Sequence, residues 1–452
     1  MADNITLPGK YHVNNIQLFS NVGSIDVRNL FLELNIFEDI FSNSITGNIV
    51  LSDSNNLISG SNALPILGNE IIYINIDVPN IYQDSSSGND ISVNITRIKF
   101  FGRVTSIREK RLITEKNQAY IIDFIAEEAI TSNKIRVSKS YKAKSYSTIA
   151  QTIFKELGSS TKSSFEETKY SYNFICPNWH PFKAINWLAS RSLSTKYEGS
   201  SFVFYHKLYD PSTQSAASKT TDMFLFRSIE SMLDGKIKKR VFFYPKNLEP
   251  YNYPTDATRF SNIDSYDVVK SFDIMENLDS GLYSSKLILH DLINKRYTNT
   301  VFNYDSQFSK FKHAESGKIL SAIPDSFGYR FPAYQDSVLR LYSDDKSMVT
   351  SNHISEVIGS RLSILNSLNN YAIKFSIPGD GFSSPGDIIY FEIPSPEVKL
   401  TMDTFYSGKL LVTSIRHHFS TEYYNMVFEC VKESLKIDPQ NYTPVDGVIG
   451  NS

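Results

Sequence analysis

Runs of alternating hydrophobic and polar residues in the first third of the chain predict β-strands. Between about residues 25 and 130 these runs are GNIVLSD, NEIIYINIDV, RIKFFGRVTSIREKR and AYIIDFIAE. The last two are predicted to form a long antiparallel pair. The polar segment DSSSGND, residues 84–90, is predicted to be a loop. This part of the chain is therefore predicted to be mostly antiparallel β-sheet.

The pattern changes to a helical period after residue 145. Four apolar residues fall on one helical face, namely Ile149, Ile153, Phe154 and Leu157. Gly158 follows where a C-terminal cap is expected, and a second helix is predicted to start at Pro181. Because SSFVFYH, DMFLFRSI and RVFFYP indicate strands, the middle region is predicted to be mixed α and β.

A third helix is predicted near residue 354, and strands return after it. Its apolar residues follow a period near 3.6, namely Ile354, Val357, Ile358, Leu362, Leu365 and Leu368. The strand patterns that follow are YAIKFSIPGD, DIIYFEIP, GKLLVTSIRHHF and YYNMVFECVKES. Residues 251–345 are polar, rich in Tyr and Asp, and give no clear pattern. The last residues, DPQNYTPVDGVIGNS, are predicted to be a loose end.

The pentapeptide VTSIR occurs twice, at residues 104–108 and 412–416, which are 308 residues apart. Each copy follows a Gly-to-Ile-Ile-Tyr stretch, with Ile71-Ile72-Tyr73 before the first and Ile388-Ile389-Tyr390 before the second. Each copy is followed by a second apolar strand, IIDFIAEE or VFECVKES, at an offset of 306 residues. Three matches in the same order favour duplication of one supersecondary unit over chance.

The repeated unit is predicted to be a small antiparallel β-barrel, since closure removes exposed strand edges. Strict alternation places Leu411, Thr413 and Ile415 on one face, with Val412, Ser414 and Arg416 on the other. The fold class is therefore α+β and β-rich, with two similar small antiparallel β-barrels flanking a mixed α/β middle region. The predicted divisions are an N-terminal arm (1–20), a first tube-like barrel (21–130), a mixed α/β domain (131–250), a polar insertion (251–352), a second barrel (353–435) and a C-terminal tail (436–452).

Composition restricts the classes of function. A formal net charge of −2 gives no bulk attraction to nucleic acid or membranes. The two cysteines, Cys176 and Cys430, require no disulfide framework and suit a reducing compartment. The N-terminal residues show no signal-peptide pattern, and no apolar run is long enough for a transmembrane helix. Aromatic residues make up 13% of the chain, which suits β-rich domains and large contact surfaces.

The common catalytic motifs are missing from the sequence. No histidine is followed by Glu, which excludes an HExxH zinc helix, and no Gly-Lys pair is followed by Ser or Thr, which excludes a Walker A loop. GDGFSSPG has Gly379 and Gly381, but Ser384 stands where a dinucleotide-binding loop has its third glycine. No GxSxG elbow is present. The chain is predicted not to be an enzyme, and no catalytic, cofactor-binding or metal-ligating residue is assigned.

Several polar residues of the kinds found in catalytic and metal sites are interpreted as structural. Adjacent His417 and His418 point to opposite faces of a strand, which favours a solvated strand end over a metal site. Cys176 and His180 lie between two prolines without partner ligands, and Glu127-Glu128 suit a strand-to-helix junction. The basic run KIKKR, residues 236–240, is interpreted as a solvated turn rather than a nucleic-acid contact.

The segment CPNWHPFKAINWLASRS, residues 176–192, resembles the corresponding segment of the baseplate hub proteins of contractile-tailed, T4-like bacteriophages. Further stretches agree in the same order, namely ITGNIVLSDSNNL, EEAITSNKIRVSKSY, IPGDGFSSPGDIIYFEIP and YSGKLLVTSIRHHFSTEYYNMVFECVKESL. They cover the first predicted barrel, part of the middle domain and the second predicted barrel. Residues 193–350 show no such resemblance.

The resemblance implies a homotrimeric ring at the centre of a phage tail baseplate, in the virion, assembled in the cytoplasm of the bacterial host. Such a ring joins the sixfold tail tube to the threefold cell-puncturing spike, and related hubs occur in type VI secretion spikes. The implied partners are a separate spike chain with an OB-fold and β-helix, tail tube or tube-initiator proteins, and other baseplate proteins. No sequence-specific nucleic-acid binding, cofactor or membrane-spanning segment is expected.

Two other functions remain open from the sequence. Tandem β domains rich in aromatic residues also suit a receptor- or carbohydrate-binding tail protein. A cell-wall hydrolase would need paired carboxylates, for which Asp264, Asp267 and Asp273 are candidates, although no motif arranges them.

Overall fold

Thirteen strands of the protein join in one large sheet in this computed structural model. The structure describes residues 7–54, 56–57, 63–64, 66–83, 91–114, 117–209, 220–243, 260–291, 295–318, 335–340, 353–395, 402–403 and 405–436. The predicted loop at residues 84–90 and the predicted tail beyond residue 436 lie outside these ranges. In the part of the chain that the structure describes, none of the helices combines the length and the apolar character needed to span a bilayer.

The N-terminal part of the chain forms seven strands of this sheet. They are β1 (His12–Phe19), β2 (Ser24–Asp26), β3 (Phe31–Asp39), β4 (Thr46–Asp53), β5 (Ile71–Gln83), β6 (Ile91–Thr114) and β7 (Asn117–Ala126). Their order is β3-β4-β7-β6-β5-β1-β2. Alternate residues of β4 and β7 are buried, as the two-residue period predicts. β1 lies in the segment that was predicted to be an N-terminal arm.

The middle region combines helices with two smaller sheets, which confirms the mixed α and β prediction. Its elements are α1 (Glu127–Lys134), β8 (Val137–Lys144), α2 (Tyr146–Lys155), β9 (Lys162–Phe165), β10 (Tyr172–Trp179), α3 (Pro181–Ala189), β11 (Phe202–Lys207), β12 (Met223–Ser228) and α4 (Ile229–Leu233). β8 pairs with β10, while β12 lies between β11 and β9. The first two predicted helices are α2 and α3.

Local sequence explains where α2 and α3 begin and end. The Ser145 hydroxyl accepts a hydrogen bond from the Thr148 amide and caps α2. Gly158, shortly after α2, has a φ of +67°, a conformation that glycine adopts without strain. Pro181 opens α3, where its missing N–H is no loss. Ile185 of α3 is buried in an aromatic-rich core that both helices share with the two smaller sheets.

The C-terminal part completes the large sheet and carries an inserted layer. Its elements are β13 (Ile237–Phe242), β14 (Ser265–Ser271), α5 (Ile274–Asp279), β15 (Ser284–Asp291), β16 (Arg296–Asn303), α6 (Tyr304–Gln307), β17 (Gln335–Arg340), α7 (Ile354–Ser367), β18 (Tyr371–Pro378), β19 (Ile388–Glu392), β20 (Gly408–Ser420) and β21 (Tyr424–Lys432). β15, β16 and β17 form a separate three-stranded sheet. The third predicted helix is α7.

Five strands of the C-terminal part repeat the order and register of five strands of the N-terminal part. The order β14-β18-β21-β20-β19 corresponds to β3-β4-β7-β6-β5. The matched cross-strand pairs include Ile72–Gly102 with Ile389–Leu410, Val104–Phe124 with Val412–Cys430, and Ile107–Ile122 with Ile415–Phe428. These two sets of five strands are called unit 1 (β3–β7) and unit 2 (β14 and β18–β21). β14 belongs to unit 2 although it lies in the segment predicted as a polar insertion.

Both VTSIR strands carry a β-bulge at the same threonine. The Thr105 hydroxyl donates a hydrogen bond to the main-chain carbonyl of Asp123 at 3.2 Å, and the Thr413 hydroxyl donates to that of Glu429 at 2.9 Å. In each copy the serine that follows donates to the side-chain carboxylate of the same acidic residue. A shared register with a shared irregularity confirms the predicted duplication.

The same bulge makes the predicted side-chain faces of β20 wrong. Val412 and Ile415 were expected on opposite faces, but both are buried in the large core of the two units. Leu411 packs instead in a different cluster with Ile364 of α7. The extra residue at Thr413 shifts the two-residue period by one position, so strict alternation fails across it.

The two units are joined edge to edge, and the described pairings make a continuous sheet. β20 of unit 2 pairs with β3 of unit 1 in antiparallel orientation. Among the described residues, no strand pairing closes either unit on itself. The β-rich α+β class is confirmed, while the closed form of the barrels stays a prediction.

Candidate functional site

The junction between the two units is built by one long strand that changes neighbours. The first residues of β20 pair with β19, and Ser414–Ser420 pair with Glu33–Asp39 of β3. The same residues of β20 also pair with β21 on the other side. β20 of unit 2 is therefore hydrogen-bonded directly to β3 of unit 1, and this junction between the units is the candidate functional site.

A buried polar network holds the inner face of this junction. His417 of β20 lies 2.6 Å from a carboxylate oxygen of Glu38 in β3, and its other ring nitrogen lies 2.8 Å from the Tyr424 hydroxyl. Glu38 also accepts a hydrogen bond from the main-chain amide of Leu208, in the middle region. Burial raises the pKa of Tyr424 well above its usual range, so its hydroxyl stays protonated and donates to the main-chain carbonyl of Asp380. The network ties both units to the middle region.

The outer face of the junction carries a partly exposed polar cluster. Arg416 donates to the Asn35 side-chain oxygen at 2.9 Å and lies 3.2 Å from Glu33. His418 contacts the same two residues of β3, at 3.0 and 3.2 Å. Burial is the main cause that lowers the pKa of His418, which Glu33 partly opposes. This cluster fixes the register between β20 and β3.

The solvated strand end predicted for His417 and His418 is therefore wrong. The two rings do point to opposite faces, as predicted, but His417 is buried and His418 is half-buried between strands. The sequence alone did not show that β3, nearly 400 residues earlier, lies beside this strand. Among the described residues, no group of three or more His, Cys, Asp or Glu side chains is arranged to hold a metal ion.

The structural interpretation of Cys176, His180 and the Glu127-Glu128 pair fits their contacts. Cys176 is buried in the core of the middle region, and burial raises the pKa of its thiol. His180 precedes α3 and contacts the main-chain carbonyl of Ile135 at 3.0 Å. Glu127 opens α1 and pairs with Arg103, whereas Glu128 accepts hydrogen bonds from two neighbouring hydroxyl groups.

The turn predicted at KIKKR is wrong, although three of its four basic residues are exposed to solvent as predicted. Residues 237–240 lie in β13, which pairs in parallel with β19. Burial alone would raise the pKa of Asp380, but the ammonium group of Lys239 holds it below its usual range. Lys238 and Arg240 instead lie over the rings of Phe382 and Tyr390. The basic run is thus a strand that packs against unit 2.

Of the three carboxylates considered for hydrolysis, Asp264 is exposed just before β14. Asp273 caps α5 by accepting a hydrogen bond from the Glu276 amide. Asp267 lies exposed on β14. Two further His–carboxylate pairs resemble catalytic machinery, His206–Asp222 and His313–Glu433, both at 2.7 Å. Their side chains are buried between elements, so they act as cross-links, and their partners are too distant in sequence to be found by motif.

The comparisons with known proteins support the same fold. No model of a protein family matches the chain, and no match is found among curated proteins. A tail protein from Neisseria meningitidis MC58 aligns over 94% of this chain and 97% of its own, with a TM-score of 0.52 and 7% identity. The 43 kDa tail protein of prophage MuSo2 from Shewanella oneidensis aligns over 94% of this chain and 99% of its own, with a TM-score of 0.53 and 8% identity.

The protein thus has the fold of phage tail proteins. The alignments span nearly the whole chain. At these identities the likeness establishes the fold alone. The resemblance inferred from the sequence is confirmed at that level.

Proposed function

We propose that the protein is a structural hub at the centre of a phage tail baseplate, where a homotrimer joins the sixfold tail tube to the threefold spike. The observation that carries this proposal is the repeat of unit 1 by unit 2 in one chain, with matching strand order and register. Three chains would supply six similar units around one axis. Such a ring matches a sixfold partner on one side and a threefold partner on the other.

The proposed partners are a separate spike protein, tail tube or tube-initiator proteins, and other baseplate proteins in the virion. The proposed role is binding over large areas rather than catalysis. The His–carboxylate pairs support this role, since they are buried cross-links between elements and do not line an open cleft. The predicted domain boundaries at residues 20, 130, 250, 352 and 435 are part of the same proposal.

The proposal is tested by the mass and shape of the purified protein. Sedimentation and mass photometry are expected to give a trimer at micromolar concentration, and negative-stain images are expected to show a hollow threefold ring. The ring should bind a tail tube protein and a spike protein from the same phage. A compact monomer at high concentration that binds neither protein would refute the hub function.

A further inference from the structure

The junction within the chain uses two strand edges, and each has a counterpart elsewhere in the molecule. β20 contributes the edge at Ser414–Ser420, whose counterpart in unit 1 is the distal part of β6. β3 contributes the other edge, whose counterpart in unit 2 is β14. Among the described residues, the distal part of β6 pairs only with β7, and β14 pairs only with β18. Within the described part of the chain, each molecule therefore presents one unpaired edge of each kind, called a free edge below.

Burial differs at matched positions according to whether the edge is paired. Phe419 of β20 and Leu112 of β6 are equivalent, and they are 0% and 65% exposed. Leu34 of β3 and Tyr266 of β14 are equivalent, and they are 0% and 39% exposed. In the junction, Phe419 lies opposite Leu34. Large apolar side chains are thus exposed on both free edges, whereas the equivalent side chains on the paired edges are buried. An exposed apolar strand edge is a template for pairing with another chain.

One pair of facing positions on the two free edges is complementary in charge. His418 and Asn35 face each other in the junction and form a hydrogen bond. Their counterparts are Arg111 on β6 and Asp267 on β14. Opposite charges directly across an antiparallel pair are stabilising. If the two free edges pair in the register of the junction, an ion pair between Arg111 and Asp267 therefore stands where the junction has the neutral pair His418–Asn35. The same register also places Arg108 opposite Lys270, and these two cations already have carboxylate partners in their own chain, Asp123 and Glu276.

Each free edge also carries one additional residue at the matched place. Two residues, Glu109 and Lys110, stand in β6 where β20 has only His417. One additional residue, Val269, stands in β14 between positions that are adjacent in β3. If β6 and β14 pair in the same register as β20 and β3, the additional residue of β6 lies opposite the additional residue of β14. Because both edges gain one residue, the ladder stays in register from Ser106 to Leu112, whereas one addition alone would shift it.

We propose that the distal edge of β6, Ser106–Leu112, pairs in antiparallel orientation with β14 of a second copy of this chain, so that Arg111 faces Asp267 and Leu112 faces Tyr266. This inference rests on the proposed homotrimer and specifies its subunit contact. The contact is heterologous, since each copy contributes a different edge, and repeated contacts of this kind close into a ring. Contacts between subunits would then copy the β20–β3 junction within each subunit.

The register is tested by disulfide trapping. The double variant Leu112→Cys/Tyr266→Cys is expected to give covalent oligomers on a non-reducing gel, and the two single variants are expected to give none. The native Cys176 and Cys430 are buried and should not cross-link. A matched control is Leu112→Cys/Lys270→Cys, which places the cysteines four residues out of register. That offset is about 13 Å along the strand, beyond the reach of about 7 Å between the Cα atoms of a disulfide.

A charge exchange gives an independent readout. Arg111→Asp and Asp267→Arg are each expected to weaken self-association by about fivefold, and the double exchange is expected to restore it. Circular dichroism should be unchanged, since both positions are exposed. Disulfide cross-linking of the in-register cysteine pair, together with restored self-association in the double charge exchange, supports the proposal. A trimer by mass that shows neither trapping nor rescue overturns this contact and leaves the hub function standing, whereas a monomer overturns both.

Discussion

At the scale of single residues, buried polar groups decide how the two units are fixed to each other. His417 bridges Glu38 and Tyr424, and these three residues come from three different strands. The outer neighbour, His418, makes contacts that are partly open to solvent. Two adjacent histidines of one strand should therefore differ strongly in what they contribute to stability.

His417→Ala is expected to lower the free energy of unfolding by about 3 kcal/mol, because Glu38 then stays buried without its side-chain partner. His418→Ala is the matched control and is expected to change it by less than about 1 kcal/mol, since its polar contacts are partly screened by water. Urea denaturation followed by circular dichroism measures both. Equal losses in the two variants would show that the buried network is not what holds the junction.

Glu230 in α4 gives the protein a predicted pH dependence. Burial is the main cause that raises its pKa to about 7 from an ordinary 4.5, with Glu166 adding to the shift and Arg361 opposing it. The group binds a proton more tightly in the folded state, so its contribution to stability is present below pH 4.5 and is lost as the pH rises through 7. The full difference is about 3 kcal/mol.

Glu230→Gln removes this titration and keeps the side-chain size. The variant is therefore expected to be more stable than the parent at pH 8 and to approach it at pH 5. Thermal or urea unfolding across that range measures the difference. Parallel pH profiles for the two proteins would show that Glu230 does not titrate in the folded state near neutral pH.

At the scale of elements, the sequence predicted most strands and helices but not which strands pair with each other. The two-residue period found β4 and β7, and the 3.6-residue period found α2, because each buries one regular face. The period also found α7, although the buried face of that helix includes Ser360 and Ser363 and leaves Ile358 and Leu362 half-buried. The start of α3 was indicated by Pro181.

The same reasoning failed at Thr413, where a bulge breaks the period, and at KIKKR, where mostly exposed basic residues lie on a strand that pairs with β19 of unit 2. β14 was missed because its residues are mostly exposed. The His417–Glu38 contact was missed because the pairing of β20 with β3 depends on the tertiary structure.

A glycine in β4 shows how tightly neighbouring strands pack. A Cβ atom on Gly47 would lie 2.3 Å from the Phe124 ring and 2.5 Å from the main-chain oxygen of Asn35. Gly47→Ala is expected to destabilise the protein by about 2 kcal/mol, since the main chain of β3 has no room to move. Gly23→Ala, where nothing lies within 4 Å, is the control and should have little effect. Similar unfolding midpoints for the two variants would contradict this packing argument.

At the scale of the whole molecule, duplication of the five-stranded unit lets one kind of strand pairing serve both the junction within the chain and the proposed contact between subunits. The β20–β3 junction shows how unit 2 pairs with unit 1, and in the proposed contact the edges of β6 and β14 would repeat that pairing between subunits. The same kind of strand pairing would then serve within a subunit and between subunits. On that proposal, a single copy is one third of a ring, and its two free strand edges bind the neighbouring copies.

Hydrogen exchange should detect this equivalence directly. In dilute monomer, the outward amides of 106–112 and 265–271 are expected to exchange quickly, while those of 414–420 are protected by β3. At concentrations that form the oligomer, protection of the first two segments should rise by about tenfold or more, because each gains a strand partner. The segment 414–420 is the internal control and should not change. Protection that rises on other surfaces and not on these two edges would mean that the subunits assemble through a different contact.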